Sequence, residues 1–329
     1  MKFTIGLLAL AIFAVPSVKA APPQQSTQSN KDAATPPYWA YPVNPPNEPP
    51  PADDGKPKTV PGSNKMMTRS QVTDGYNVAD WRPDEHPTMP EVVEHGKKPT
   101  VRACAYCHLP NGLGRPENAS LAGLSPDYIM KQVAEFRADE RKSSEPRMGS
   151  VKAMEGVAKA VSDDDVKIAA EYFASLKLKP WIRVVESSTA PKTRVSGTML
   201  IPVEGAGTEP IGNRIVEMPE DLARTELRDA GSGFVAYVPP GSLKKGAELT
   251  AGGGGKTVRC AICHGPELRG LGPVPPIAGR SPSYIFRQLF DIQHGVRHGE
   301  WTMLMNAPLE KLNEDDLISI AAYLASLKP

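Results

Sequence analysis

The sequence predicts a mainly α protein: two tandem copies of one small helical unit, joined by a small strand-rich connector and preceded by a Pro-rich N-terminal arm. Three observations carry this. First, the 329-residue chain repeats itself: "LAGLSPDYIMKQ" at 121–132 lies over "IAGRSPSYIFRQ" at 277–288, and "MEGVAKAVSDDDVKIAAEYFASLK" at 154–177 lies over "MNAPLEKLNEDDLISIAAYLASLK" at 305–328. Such self-similarity marks a duplicated unit of roughly eighty residues. Second, each copy ends in apolar residues at helical spacing: Val166, Ala169, Ala170, Phe173 and Leu176, then Leu317, Ile320, Ala321, Leu324 and Leu327. Third, proline is unevenly placed, with twelve of the 35 inside 21–61.

Taken in order, residues 1–20 read as a cleavable signal peptide, with Lys2, a short apolar run from Ile5 to Val15, and small residues Val18 and Ala20 before a cut after Ala20. The run is too short to span a bilayer, and no later segment is apolar enough to do so. A soluble periplasmic product with no transmembrane helix is therefore expected. Residues 21–65 form the arm, extended because proline excludes helix and central strand. Its Tyr38, Trp39 and Tyr41 are unusual for a tether and are candidates to pack on the body, against a plain spacer reading.

The first unit is placed at 66–178 and the second at 241–329. A short helix is expected before each cysteine pair, at 89–98 and 241–249. Ser125 and Ser281, each followed by proline, should cap a middle helix. Ser162 and Asn313 should cap the last one, with Asp three residues on as a near capping box. Between the units, 179–240 is too long for a bare loop. "WIRVV" and "GFVAYV" read as its strands.

Composition restricts the function. Hydrophobic content of 40%, charged content of 23% and a formal net charge of +1 describe an ordinary soluble chain and point to no nucleic-acid partner. The chemistry sits in "VRACAYCHLPNG" and "VRCAICHGPELRG". These place Cys104, Cys107 and His108, then Cys260, Cys263 and His264, at an offset of 156. A disulfide within Cys-x-x-Cys closes only a tiny loop and stabilises little. A dithiol oxidoreductase needs a βαβ setting that is absent here. Zinc held by four cysteines would join pairs far apart and leave both histidines unexplained. Covalent haem uses all six residues: two thiols add across two vinyl groups, and the next residue turns its imidazole to the iron. It also gives a unit with little core of its own a broad apolar surface to cover. Two haem c groups are expected.

The sixth ligand decides between closed and open iron. At the offset of 151 that relates the last helices, Met154 aligns with Met305, whereas Met148 and Met303 have no methionine partner. Met154 and Met305 are therefore the expected axial ligands, with Met148 and Met303 as fallbacks. His86, His95, His294 and His298 are further candidates, although Ala138 and Lys142 stand opposite the last two in the repeat.

Cys-x-x-Cys-His, the "LAG" or "IAG" segment before a "YI…Q" helix, methionine ahead of "SDDD" or "NEDD", and "Y(F/L)ASL" together resemble the class I cytochrome c fold, twice over about 88–178 and 241–329. The resemblance implies a periplasmic dihaem c-type cytochrome that relays single electrons between redox partner proteins, such as a dehydrogenase or oxidase, and is not itself an enzyme. It implies a backbone carbonyl that accepts from the proximal histidine, at Pro275 in the second copy and Ala119 in the first. Arg141 and Arg297, aligned in the repeat, become candidates to meet a haem propionate, against a reading as exposed surface residues. The rival functions are a dihaem redox enzyme with one open site, acting as a peroxidase or on sulfur compounds, and a docking subunit that uses the arm and connector. "GGGGKT" at 252–257 lacks the spacing of a phosphate loop, having Thr250 where a glycine is needed.

Overall fold

The computed structural model describes residues 35–47 and 52–329; the expected signal peptide, the start of the arm, and 48–51 lie outside the described residues. The first repeat contributes α1 (Arg69–Val72), α2 (Glu91–Glu94), α3 (Cys104–His108), α4 (Pro126–Arg137), α5 (Gly149–Ala160) and α6 (Asp163–Ser175). The connector follows as β1 (Ile182–Glu186), β2 (Thr189–Pro191), β3 (Thr193–Ser196), β4 (Met199–Pro202), β5 (Thr208–Pro210), β6 (Val216–Pro219), α7 (Leu222–Glu226) and β7 (Phe234–Val238). The second repeat adds α8 (Ser242–Gly252), α9 (Ala261–His264), α10 (Pro282–Gln293), α11 (Asn306–Leu309) and α12 (Glu314–Ser326).

Local chemistry explains the helix starts. Ser125 Oγ and Ser281 Oγ accept from the Tyr128 and Tyr284 amides, with proline in each first turn. Ser162 caps α6 ahead of three aspartates, which favour the positive end of the helix dipole. Asn313 and Asp316 close a full capping box on α12. In α6 the expected box is incomplete, because the Ser162 hydroxyl donates to the Asp165 carboxylate at 2.6 Å. The helix expected at 89–98 shrinks to the single turn of α2, since Gly96 adopts φ +64.

The connector is strand-rich as expected, with a helix, α7, inside it. Its main sheet has the order β1-β7-β6. β1 and β7 run parallel, pairing Ile182 with Phe234, which the long excursion between them permits; β6 returns antiparallel, pairing Val216 with Tyr237. Small antiparallel pairs, β2-β5 and β3-β4, complete it. One large core joins the sheet to α10 and α12, through Val216, Ala236, Phe286, Phe290 and Leu317; a second gathers Phe173, Trp181 and Phe234 around the first repeat. Trp181 Nε1 donates to the Gly279 carbonyl, and Glu217 accepts from Ser281 Oγ at 2.7 Å and the Ser283 amide at 3.0 Å.

The spacer reading of the arm fails for residues 39–41, whereas Tyr38 is 65% exposed. Trp39 and Tyr41 are buried, with the Trp39 ring 4.6 Å from Phe286 and Tyr41 Oη donating to Asp291 at 2.7 Å. Arg287 donates to the Ala40 carbonyl at 2.8 Å. "GGGGKT" follows α8 rather than opening a helix, and Lys256 pairs with Asp316, which removes the phosphate-loop geometry.

Helices α8 and α12 touch backbone to backbone at Gly246, where a Cβ would fall on the Ser319 carbonyl oxygen. Gly246→Val is expected to cost about 3 kcal/mol by forcing the helices apart. Trp39→Ala should cost about 3–5 kcal/mol by emptying an aromatic site in the core. Urea unfolding midpoints of the haem-loaded protein check both.

Candidate functional site

Each Cys-x-x-Cys-His motif folds as one helical turn, α3 or Cys260 with α9, and stops when the next residue takes positive φ: Leu109 at +61 or Gly265 at +77. The loops that follow return a carbonyl to each histidine. His108 Nδ1 lies 2.8 Å from the Ala119 oxygen and His264 Nδ1 lies 2.9 Å from the Pro275 oxygen. A carbonyl only accepts, so Nδ1 carries the proton and Nε2 keeps its lone pair. Burial holds both imidazoles below the usual histidine range, hence neutral. A neutral ring with a tethered Nδ1–H and a free Nε2 is the state required of a metal ligand. Alanine thus serves as well as proline, because the acceptor is backbone.

Burial pushes the Cys104 thiol up to about 12 and raises Cys107 and Cys260. The four cysteines form no disulfide with one another. Among the described residues, no group of three or more His, Cys, Asp or Glu gathers as a metal site, so the zinc reading finds no ligand set.

In the first repeat Cys104, Cys107 and His108 open onto a cavity of about 170 Å³. Its walls are largely apolar, from Ile129, Val133 and Phe136 of α4, Val157 of α5, and Val166 and Phe173 of α6. Met154 lines it as well. Met148 does not: it is 0% exposed and packs in the core shared with the second repeat. In the second repeat Met305 is half-buried against that core, whereas Met303 is 58% exposed. The other histidines lie elsewhere. His86 binds Asp80 and Tyr172, His294 stacks on Phe290 at 4.1 Å, His298 turns to the Gly295 carbonyl, and His95 sits beside Glu94.

Part of the polar lining crosses to the second repeat, through Tyr284, Arg287, Gln288 and Asp291. Arg141 donates to Gln132 at 2.7 Å, Tyr284 at 2.7 Å and Gln288 at 3.0 Å. Arg297 donates to Gln288 at 3.0 Å, Tyr128 at 3.1 Å and Gln132 at 2.7 Å. Each arginine therefore binds its own repeat's glutamine and the other repeat's tyrosine and glutamine. Both are buried, which corrects the exposed-surface reading. All these hydrogen-bond partners are neutral, and Arg297 Nε has none. Buried guanidinium groups without a bonded carboxylate favour an incoming anion. An apolar slot with a free imidazole nitrogen, a thioether and a cationic end fits haem and its propionates.

Sequence reasoning passed over Tyr128, Gln132, Tyr284 and Gln288 as functional. Their signal was present: polar residues identical in both copies on otherwise apolar helices. Arg297→Met is expected to take from Tyr128 its guanidinium donor and from Gln132 and Gln288 one of two each, and to lower stability by about 1–3 kcal/mol in urea unfolding.

The cytochrome c family profile matches residues 243–328. Cytochrome c4 of Azotobacter vinelandii is 34% identical over 229 residues, covering 68% of this chain and 84% of that protein. A thiosulfate dehydrogenase electron acceptor from Stutzerimonas stutzeri is 25% identical, covering 71% of this chain and 83% of that protein. The crystal structure of reduced recombinant cytochrome c4 from Pseudomonas stutzeri is 21% identical, covers 68% of this chain and 93% of that one, and gives a TM-score of 0.44. No described helix is long and apolar enough to cross a membrane. With identity at this level across most of a cytochrome c4, the chain belongs to the cytochrome c family, whose work is electron transfer through haem.

Proposed function

We propose that this chain relays single electrons in the periplasm through two covalently held c-type haems, one per repeat, between a dehydrogenase or other donor and a downstream acceptor. The observation that carries it is the cavity on which Cys104, Cys107, His108 and Met154 converge. Cys104 and Cys107, and Cys260 and Cys263, would hold the haems as thioethers. Nε2 of His108 and the sulfur of Met154 would ligate the first iron, and Nε2 of His264 and the sulfur of Met305 the second. Bound in this way, haem c supplies a ferrous–ferric couple. The chain's own residues keep the imidazoles neutral and oriented, line the slot with apolar groups and set cations at the seam. Thioether ligation closes the iron, which suits a carrier rather than an enzyme. The donor class is supported by the relative named as electron acceptor of a dehydrogenase. Periplasmic placement rests on the signal segment at 1–20.

A pyridine haemochrome spectrum of protein from an export- and maturation-competent host should give two thioether-linked haems per chain. Met154→Ala should let the reduced protein bind carbon monoxide at one haem and should remove that haem's near-infrared methionine band in the ferric form. Met148→Ala should leave both signals intact and instead cost about 2–5 kcal/mol of stability. Ready carbon monoxide binding by the unaltered protein would favour the enzyme reading.

A further inference from the structure

The two Cys-x-x-Cys-His faces differ in what covers them. Over the first lies the end of the connector. The Arg228 guanidinium stacks 3.8 Å above the Tyr106 ring and donates to the Tyr106 carbonyl. Asn111 donates to the Ala230 carbonyl at 2.6 Å, Trp81 Nε1 to Leu227 at 2.7 Å, and Arg82 Nε to Asp229 at 3.0 Å. Arg228 itself takes φ +54, so this turn is held by its contacts rather than by an easy backbone shape. Residues 227–230 are thus latched onto the motif and onto the segment before it.

Among the described residues, nothing comparable covers the second face. In the repeat Tyr106 aligns with Ile262, Arg102 with Val258 and Arg115 with Leu271. Ile262 is 67% exposed, Leu271 57% and Val258 51%, and Cys263 is exposed where Cys107 is half-buried. Three apolar side chains bracket one motif in water while their counterparts are polar, charged or covered. The surrounding charge is positive: Lys256, Arg259 and Arg269 stand against Glu267. Glu267 pairs with Arg269 and Lys256 with Asp316, which leaves the exposed Arg259, next to Cys260, without an ion pair among the described residues.

We infer that one of the two partners of the relay docks on the second repeat, at the Val258–Ile262–Leu271 face, while connector residues 227–230 close the matching face of the first to it. The occupant is a one-electron redox protein with an apolar contact patch rimmed by carboxylates. The apolar centre needs only a small, short-lived contact, and the unpaired Arg259 steers an acidic rim toward it. In each encounter one electron passes, one partner being oxidised and the other reduced, with no bond made or broken. The inference rests on the two-haem reading above.

Full-length, haem-loaded protein adsorbed on a gold electrode bearing a mixed carboxylate- and methyl-terminated monolayer tests it, the monolayer standing in for the acidic, partly apolar partner. Ile262→Glu should slow interfacial electron exchange about tenfold or more, whereas Ala223→Glu, on exposed α7 leading into the cap, should leave it within about twofold. Both variants add the same charge, so only its position differs. The visible spectra of both should match the parent. Equal slowing by both variants, or no effect of Ile262→Glu, overturns the inference. Sedimentation velocity adds a second arm: a parent dimer that Ile262→Glu dissolves would assign the patch to a second copy and also overturn it. The haemochrome count separates the two readings. Two haems with an unresponsive Ile262→Glu rejects the docking face alone, while a colourless protein rejects the two-haem reading and the docking face with it.

Discussion

The bond from a buried imidazole to a backbone carbonyl is the constraint around which each repeat is shaped. It fixes the tautomer, and with it which nitrogen is left for iron. It also dictates the loop that must bring Ala119 or Pro275 back over the motif. Both loops solve this with the same backbone bonds: the Gly114 amide to His108 and the Gly270 amide to His264, then Leu121 and Ala122 to Gly112, and Ile277 and Ala278 to Leu268. The repeats exchange glycines in doing so. Where the first has Leu109 at positive φ the second has Gly265, and where the first has Gly112 the second has Leu268 at φ +62. Each loop thus keeps one leucine in a left-handed conformation that glycine would adopt without strain. The conformation is preserved while the residue suited to it moves, so the requirement lies in the histidine contact rather than in local propensity.

The seam between repeats applies the same economy to charge. Arg141 and Arg297 sit in a near-symmetric lattice of glutamine and tyrosine, with Arg280 beside it bound to the carbonyls of Pro276, Ser120 and Ala122. Neutral partners satisfy guanidinium geometry without cancelling its charge. A seam that stays cationic stabilises carboxylates brought by a cofactor and favours the reduced state of a nearby metal. The Glu135 carboxylate, buried against Gly299 with neither oxygen hydrogen-bonded among the described residues, acts on Arg297 through space.

How much of this was legible in sequence follows from the range of each interaction. Caps at Ser125, Ser162, Ser281 and Asn313 act over three residues, so the string announces them. The motifs, the strands "WIRVV" and "GFVAYV" and the place of Met154 on the cavity wall were readable for the same reason or through the repeat. Trp39 and Tyr41 stood out as candidates to pack on the body, but their seat on α10 was not legible, because it joins residues some 250 apart. Nor was the reach of Arg228 to Tyr106, since a turn at positive φ in an unrepeated connector leaves no periodic trace. The arginines at 141 and 297 were found by alignment, but the choice between a propionate contact and an exposed surface was not legible: it turns on partners across the seam.

Duplication explains the symmetric features, and the connector explains the departures from symmetry. A tandem repeat by itself would leave two equivalent faces, each open to partners. Here the inserted segment takes its anchorage from both repeats, with Glu217 holding the start of α10 and Asp229 holding Arg82. Its rigidity therefore derives from the seam it spans, and its turn at 227–230 can be held over Tyr106 at a strained backbone angle. The insertion removes one of two equivalent ports and, by burying apolar sheet residues against α10 and α12, fixes the orientation of the repeat that keeps the other.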